Sequence, residues 1–224
     1  MPDHKEAHLH IGPKAHQVLR YTPEERICHW FTAGTYVYCM MTGLALFTPY
    51  LYWLAFVVGG GPTARYWHPI IGVLFVVGIF WMHRLWRGEF LLSADDRVWM
   101  DKLKYYITNQ DDLLPPQGKY DAGQKIYYWG MFYGAILLIL SGLVMWIPES
   151  VPRGWHWVLP LATFVHEGAA LITIGAIILH VYMAVFTVPG SVAAMTTGYV
   201  SRGWAMLHAR SWYDKIEGEP IRRS

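Results

Sequence analysis

Two histidines, His166 and His180, lie in an otherwise apolar segment that runs from Ala162 to Phe186. Their separation of 14 residues is close to four whole helical turns, so in a helix both imidazoles point within about 40° of the same direction, roughly 21 Å apart. The segment is long and apolar enough to cross a membrane, and ionisable residues inside a span mark functional sites. Two imidazoles on one face at two depths are typical of ligands for two stacked metal centres.

The composition indicates one membrane-embedded domain. Of the 224 residues, 54% are hydrophobic and 16% are aromatic, and the mean hydropathy is +0.22. Twelve tryptophans and 15 tyrosines suit the aromatic belts that form at bilayer interfaces. The two cysteines, Cys28 and Cys39, form no Cys-x-x-Cys-His motif, which excludes a covalently attached c-type haem.

Four apolar segments predict an all-α integral membrane protein built as a four-helix bundle. We expect the second segment to begin at His68-Pro69, since proline is accepted in the first turn of a helix. The predicted regions are a cytoplasmic N-terminal tail over residues 1–27, a bundle over 28–187 with spans of about 29–48, 68–86, 126–147 and 160–187, and a cytoplasmic C-terminal tail over 188–224.

The distribution of basic residues predicts the orientation of the bundle. Of the 18 lysines and arginines, 16 lie in the two tails and in the connection between spans 2 and 3. The other two connections hold only Arg65 and Arg153. Because cytoplasmic loops carry an excess of Lys and Arg, both termini should be cytoplasmic.

This orientation sorts the four span histidines into two depths. His29 and His180 should lie near the cytoplasmic face, and His68 and His166 near the outer face. Two histidine pairs stacked across a helical bundle are what two b-type haems with bis-histidine ligation require. His83, beside Arg84, is predicted to lie at the cytoplasmic interface.

Glycines offer backbone that a porphyrin can approach closely. Gly43 follows His29 by 14 residues, so it shares the face of His29 at the outer level. Gly142, Gly168 and Gly175 are predicted to serve similarly, although small residues also mark ordinary helix packing in membranes. Four further histidines are interpreted as part of a solvated N-terminal tail rather than a metal site: His4, His8, His10 and His16.

The chain resembles the gamma subunit of membrane-bound formate dehydrogenase, a dihaem cytochrome b, from about residue 20 to residue 217. The most discriminating motif is Lys119-Tyr-Asp-Ala-Gly-Gln-Lys125. The other motifs that carry the resemblance are Arg26-Ile-Cys-His-Trp30, Trp67-His-Pro-Ile-Ile-Gly72, His180-Val-Tyr-Met-Ala184, Pro189-Gly-Ser191, Val200-Ser-Arg202 and Trp212-Tyr213.

The resemblance implies haem b ligation by the same two histidine pairs in a bacterial inner membrane. It also implies two partners, namely an iron–sulfur subunit and a catalytic subunit with a molybdenum or tungsten pterin. Quinone would react on the cytoplasmic side, with Asp121, Gly123, Gln124 and Lys125 as binding residues. The family usually has Asn where this chain has Asp121, which leaves proton delivery and helix capping as alternative roles for this residue.

The mechanism that the resemblance implies is inward electron transfer from the outer haem to the inner haem and on to quinone. Protons would be taken from the cytoplasm, so turnover would charge the membrane. One alternative is a cytochrome b that serves a periplasmic nickel–iron hydrogenase or a related oxidoreductase. A haem-free anchor or a histidine-lined channel is the other, but between the two histidine levels 169–179 offers only Thr173 as a polar side chain.

Overall fold

The computed structural model describes residues 17–108, 110 and 113–218, and these residues are mainly helical. The tail histidines His4, His8, His10 and His16 lie outside them. In chain order the described elements are β1 (Gln17–Leu19), α1 (Pro23–Phe47), α2 (Leu54–Val57), α3 (Gly61–Trp86), α4 (Ala94–Asp101), α5 (Leu103–Ile107), α6 (Ala122–Trp146), α7 (Val158–Tyr182), α8 (Ser191–Thr197), β2 (Tyr199–Ser201), α9 (Arg202–His208) and α10 (Arg210–Gly218).

Three helices of the described chain have the length and composition of membrane spans. They are α3, α6, and α7 together with the π-helical turn Met183–Thr187 that continues it. Helix α1 is 25 residues long, but hydroxyl-bearing residues such as Thr32, Tyr36 and Thr42 make it less apolar. These three helices confirm the prediction of a helical transmembrane protein. A fourth span at α1, the four-helix bundle and the orientation of the termini stay predictions.

The helix boundaries differ from the predicted spans at two functionally relevant places. Helix α3 begins at Gly61, directly after Gly60 with its positive φ of 97°, so Pro69 lies inside the helix and not in its first turn. Helix α6 begins at Ala122, before the predicted start of its span. Gly123, Gln124 and Lys125 therefore belong to the first turn of α6.

The described chain is mainly helical, as the all-α prediction expects, but it also contains a small two-stranded sheet. Strands β1 and β2 pair antiparallel, with Gln17 opposite Ser201 and Leu19 opposite Tyr199. Each strand has only three residues, too few to show the alternating pattern that predicts a strand from sequence.

The chain forms two compact units. The first, here called the histidine unit, comprises residues 27–85 and 129–180 and holds all four span histidines. The second, here called the polar unit, comprises 17–26, 86–128 and 181–218.

Hydroxyl groups link the helices inside the histidine unit. The Thr173 hydroxyl on α7 donates to the Ala169 carbonyl, so its oxygen can accept from the Tyr36 hydroxyl on α1 at 3.0 Å. Tyr36 and Thr173 are both buried, so this bond forms away from water. It connects α1 to α7, the helices that carry His29 and His180.

Candidate functional site

The four span histidines form two pairs in the histidine unit. The ring centroids of His29 on α1 and His180 on α7 lie 6.3 Å apart. Those of His68 on α3 and His166 on α7 lie 6.2 Å apart. These are the two pairs that the depth argument predicts; the role of the four residues as haem ligands stays a prediction.

Thr42 fixes the ring of His68. The Thr42 side chain is fully buried, and its hydroxyl lies 2.8 Å from Nδ1 of His68. The hydroxyl proton is donated to the Tyr38 carbonyl one turn earlier in α1, also at 2.8 Å. The Thr42 oxygen therefore accepts from the Nδ1–H of His68, and the Nε2 lone pair is left for a metal.

His166 is oriented in the same way from α6. Its Nδ1 lies 3.1 Å from the Leu138 carbonyl, which can only accept a hydrogen bond. The Ser141 hydroxyl is 3.0 Å from the same nitrogen and donates to the Leu137 carbonyl at 2.6 Å. Nδ1 of His166 therefore carries the proton, and again Nε2 has its lone pair available.

Two of the predicted glycines contact the outer histidine rings. A Cβ built at Gly43 would lie 3.3 Å from Cε1 of His68, and one at Gly142 would lie 3.2 Å from Cε1 of His166. Both distances are shorter than ordinary van der Waals contact, so a side chain at either position would displace the ring. These glycines let the backbones of α1 and α6 approach the two imidazoles.

Gly168 and Gly175 lie on a different face of α7 from the histidines. At 100° per residue, Gly175 is about 180° from His166, and Gly168 is about 160° from it. A Cβ at either glycine would meet no atom within 4 Å, and Gly175 is exposed. The structure therefore gives no support to the predicted haem-packing role of these two residues.

The spacing of each pair fits two imidazoles that bind one metal from opposite sides. With metal–nitrogen bonds of about 2 Å, the two nitrogens are about 4 Å apart and the ring centroids roughly 6 Å apart. In the described residues no group of three or more His, Cys, Asp or Glu side chains is placed to hold a metal ion. A pair of histidines leaves a metal's other ligand positions to another molecule, and a macrocycle such as that of haem would supply them.

His29 of the inner pair differs from both outer histidines in its hydrogen bonding. Nδ1 of His29 is buried and has no hydrogen-bond partner in the described chain. The ring of His29 instead meets that of Trp30 edge to face, with centroids 5.1 Å apart. The Nδ1 of His29 is thus held by packing and not by an acceptor.

His83 lies outside both pairs. Its ring stacks on Phe132 with centroids 4.5 Å apart, and Trp129 meets it edge to face at 5.8 Å. A histidine between two aromatic rings of α6 serves packing between α3 and α6.

In the polar unit, two predicted quinone-binding residues cap helix α6. The Gln124 backbone N–H donates to Oδ1 of Asp121 at 2.8 Å, and the Asp121 backbone N–H donates to Oε1 of Gln124 at 3.1 Å. This reciprocal pair has the geometry of a capping box. Burial raises the pKa of Asp121 although the backbone hydrogen bond from Gln124 acts against it.

Lys125 is held by a carboxylate that the sequence reasoning missed. Its ammonium lies 2.8 and 3.0 Å from the two carboxylate oxygens of Asp96, and both side chains are almost completely buried. Burial acts to raise the pKa of Asp96, but hydrogen bonds from Lys125 and Ser93 outweigh it and lower this pKa. Trp99, 1% exposed, follows on α4, and its ring would lie 3.5 Å from a Cβ at Gly123.

A second ionic cluster precedes this segment. Lys119 forms ion pairs with Glu25 at 3.1 Å and Glu89 at 3.0 Å, and the Trp86 indole donates to Glu25 at 2.6 Å. Burial acts to raise the pKa of Glu25, but the charge of Lys119 and the hydrogen bonds from Thr22 and Trp86 outweigh it, so this pKa is lowered. The Lys119–Lys125 motif is thus anchored by ion pairs at both ends.

Residues 20–198 match the prokaryotic cytochrome b561 family. The chain belongs to this family. Over 200 residues it is 32% identical to the formate dehydrogenase cytochrome b556(fdo) subunit of Escherichia coli K12, covering 89% of this chain and 93% of that protein. It is 29% identical over 204 residues to the nitrate-inducible cytochrome b556(Fdn) subunit of the same strain, covering 91% and 94%. A formate dehydrogenase cytochrome b556 subunit of Haemophilus influenzae is 28% identical over 202 residues, covering 88% and 82%.

Membership of the cytochrome b561 family confirms the predicted resemblance and implies b-type haem. Three site residues of this cytochrome were missed from its sequence, and for two of them a signal was present. Thr42 precedes Gly43, and Ser141 precedes Gly142, so each hydroxyl stands directly before a glycine at the outer level. No sequence pattern pointed to Asp96, because its partner Lys125 is 29 residues away across an irregular connection.

Proposed function

We propose that this cytochrome is the membrane electron-transfer subunit of a formate dehydrogenase complex. It would carry electrons through two b haems to a membrane quinone that is reduced on the cytoplasmic side. The observation that carries the proposal is the presence of two histidine pairs with ring centroids 6.3 and 6.2 Å apart on facing helices. Sequence identities of 28–32% to three formate dehydrogenase cytochrome subunits support the assignment to this kind of complex.

The chain would hold the inner haem between His29 and His180 and the outer haem between His68 and His166. Each bound haem supplies a one-electron carrier whose iron alternates between the ferric and ferrous states. The protein sets the ligand orientation: Thr42 and Leu138 hold the protons on Nδ1 of the outer pair and so present Nε2. Gly43 and Gly142 keep the space beside these rings free of side chains.

The polar unit would bind the quinone through the first turn of α6. The capping box uses one carboxylate oxygen of Asp121 and the amide oxygen of Gln124, so the Gln124 amide NH2 is left to donate to a quinone carbonyl. Asp121 would donate to the quinone only in its protonated form, which burial favours by raising its pKa. Lys125 would bind as part of the Asp96 ion pair, not as a free cation. Gly123 would let the ring approach the backbone.

The proposed topology has four spans, including α1, with both termini in the cytoplasm of a bacterial inner membrane. The concentration of 16 of 18 Lys and Arg residues on one side supports it. The proposed partners are an iron–sulfur subunit and a molybdenum- or tungsten-pterin catalytic subunit, since the two cysteines of this chain are too few for an iron–sulfur cluster.

Haem quantification per chain tests the proposal. The detergent-purified protein should contain two b haems in a dithionite-reduced minus oxidised spectrum. Replacing any one of His29, His68, His166 or His180 with Ala should remove one haem, whereas the controls His83→Ala and His156→Ala should keep both. A protein with no haem, or with haem that survives all four ligand substitutions, would refute the assignment.

The quinone site has a separate test. Gly123→Ala would bring a Cβ to 3.2 Å from Oδ1 of Asp121, whereas a Cβ at Gly118 meets no atom within 4 Å. We expect Gly123→Ala to slow reoxidation of the reduced cytochrome by a soluble quinone at least several-fold, with haem content unchanged. Gly118→Ala should behave like the wild type. Equal rates in all three proteins would place the quinone elsewhere.

A further inference from the structure

A buried guanidinium lies inside the polar unit. Arg20, between β1 and α1, is only 3% exposed, and its Nη2 donates to the Lys119 carbonyl at 2.5 Å. Its Cζ lies 4.6–5.6 Å from the centroids of four aromatic rings, those of Trp204, Trp212, Tyr21 and Tyr120. A cation within about 6 Å of a ring centroid is attracted to the ring face, so these rings are a favourable lining for the guanidinium. They do not neutralise its charge.

Arg20 lacks the carboxylate with which a buried cation is ordinarily paired. Among the described residues no ion pair includes Arg20, and its buried Nη1 has no hydrogen-bond acceptor there. The two lysines of the Lys119–Lys125 motif, in contrast, are each held by a carboxylate. Arg20 therefore keeps a positive charge that no ion pair in the described chain offsets.

Asp121 is a carboxyl group on which this charge acts. It lies two residues after the carbonyl to which Arg20 donates. Burial raises the pKa of Asp121, and the charge of Arg20 acts against this effect. Asp96, on α4, adds an opposing negative charge, but the Lys125 ammonium holds both of its oxygens. Tyr120 stays neutral, because burial raises its pKa well above the ordinary value.

The Asp121 side chain is placed to release and regain a proton. Its Oδ1 accepts from the Gln124 N–H, and the residue is half-buried, so water can reach it. Reduction of a quinone to a quinol takes two electrons, which would come one at a time from the proposed inner haem, and two protons. One proton would pass from protonated Asp121 to a quinone oxygen, with cleavage of the carboxyl O–H bond and formation of the quinol O–H bond. The remaining carboxylate would take a proton from cytoplasmic water, which is also the source of the second proton.

We propose that Arg20 is a positioning residue of the quinone site, which fixes the segment before α6 and stabilises the Asp121 carboxylate after proton transfer. The inference rests on the proposed function, because it takes Asp121 as a quinone-site residue. Without the cation, loss of the proton would leave an isolated carboxylate in a partly buried position, where the charged form is disfavoured. Arg20 acts through Asp121 and through the Lys119 carbonyl, without contact to the quinone.

The titration of Asp121 tests the inference in the full-length, detergent-purified cytochrome without quinone. Infrared difference spectra over a pH series report carboxyl groups, and the band that Asp121→Asn removes identifies this one. An opposite charge nearby changes a carboxyl pKa by about 1–3, so Arg20→Gln should move the midpoint of this band upward by about one pH unit or more. The matched control is Arg26→Gln, because Arg26 also donates to a backbone carbonyl of the polar unit, that of Thr196 at 2.6 Å. Arg26→Gln should leave the midpoint at the wild-type pH.

Two further measurements separate this role from a purely structural one. The rate at which a soluble quinone reoxidises the reduced cytochrome should decline towards high pH, and Arg20→Gln should move this decline upward by the same amount as the infrared midpoint. Arg20→Lys, which keeps the charge, should stay close to the wild type in both measurements. In the unsubstituted chain, guanidinium bands identified by isotope-labelled arginine should change together with the Asp121 band, a readout that holds even if Arg20→Gln fails to fold.

Equal midpoints in Arg20→Gln and the wild type would overturn the inference, as would an equal change in Arg26→Gln or the lack of an arginine response. A changed midpoint with an unchanged rate profile would also overturn it, because Asp121 would then not supply the proton. Failure of the proposed function has a different signature. Quinone would then react as fast with Gly123→Ala as with the wild type, while the titration of Asp121 would still respond to Arg20.

Discussion

Thr42→Val gives a sharp test of how the outer histidine pair is held. Valine keeps the shape of threonine but removes the only oxygen in the described residues that accepts from Nδ1 of His68. Thr42 is fully buried, so water cannot replace the lost acceptor. An unsatisfied buried donor costs about 1–3 kcal/mol, and each 1.4 kcal/mol is tenfold, so we expect haem to be held roughly 5- to 150-fold less tightly.

Ser141→Ala is the matched comparison at the other outer ligand. It removes the Ser141 hydroxyl but leaves the Leu138 carbonyl 3.1 Å from Nδ1 of His166. The nitrogen keeps an acceptor, so we expect haem affinity to fall by less than about threefold. Thr42→Ser, which retains the hydroxyl, should be close to the wild type.

The assay is the rate at which haem passes from the detergent-purified protein to an excess of a haem-scavenging protein, followed by absorbance. The proposed inner haem, which His29 and His180 would hold, provides an internal reference in each sample. Equal haem loss from Thr42→Val and Ser141→Ala would refute the reasoning, because it would mean that the number of acceptors at Nδ1 does not matter. Unchanged retention in Thr42→Val would refute it more directly.

Three further substitutions test the surroundings of the sites. Gly142→Val should displace the His166 ring and remove the outer haem from the spectrum, whereas Gly34→Val, in open space, should retain it. Asp96→Ala should lower the free energy of unfolding by about 3 kcal/mol, because it leaves Lys125 buried without its partner; an unchanged melting temperature would argue against the ion pair. The folded-state pKa of Glu25 lies below its ordinary value of 4.5, so its contribution is present above that pH and is lost as the pH falls through the lower folded value. Glu25→Gln should therefore flatten the acid side of the stability profile, and an identical profile would contradict the assigned shift.

The histidine pairs were accessible to sequence reasoning because a helical periodicity and a charge asymmetry predict them. The 14-residue spacing of His166 and His180 fixes a shared helix face, and the charge asymmetry of the loops fixes which histidine lies at which depth. The same periodicity places Gly175, nine residues after His166, on the opposite side of α7 from that histidine.

The capping box of Asp121 and Gln124 follows a known sequence pattern, and helix capping was among the alternative roles for Asp121. Other features depend on contacts that sequence spacing does not encode. The pairing of Lys125 with Asp96 depends on how the connection after α3 folds back, which no local pattern determines. The start of α3 at Gly61 was missed because Pro69 was taken for a helix start, although the positive φ of Gly60 ends the preceding turn.

The lack of an acceptor for Nδ1 of His29 in the described chain has an energetic consequence for haem ligation. A hydrogen bond from Nδ1 makes an imidazole a more basic ligand, which stabilises the ferric over the ferrous state. Both outer histidines donate such a bond, whereas His29 of the inner pair has no acceptor in the described chain. With haem bound as proposed, His29 would be a less basic ligand than His68 or His166, so the acceptors on α1 and α6 would favour the ferric state at the outer pair more than His29 favours it at the inner pair.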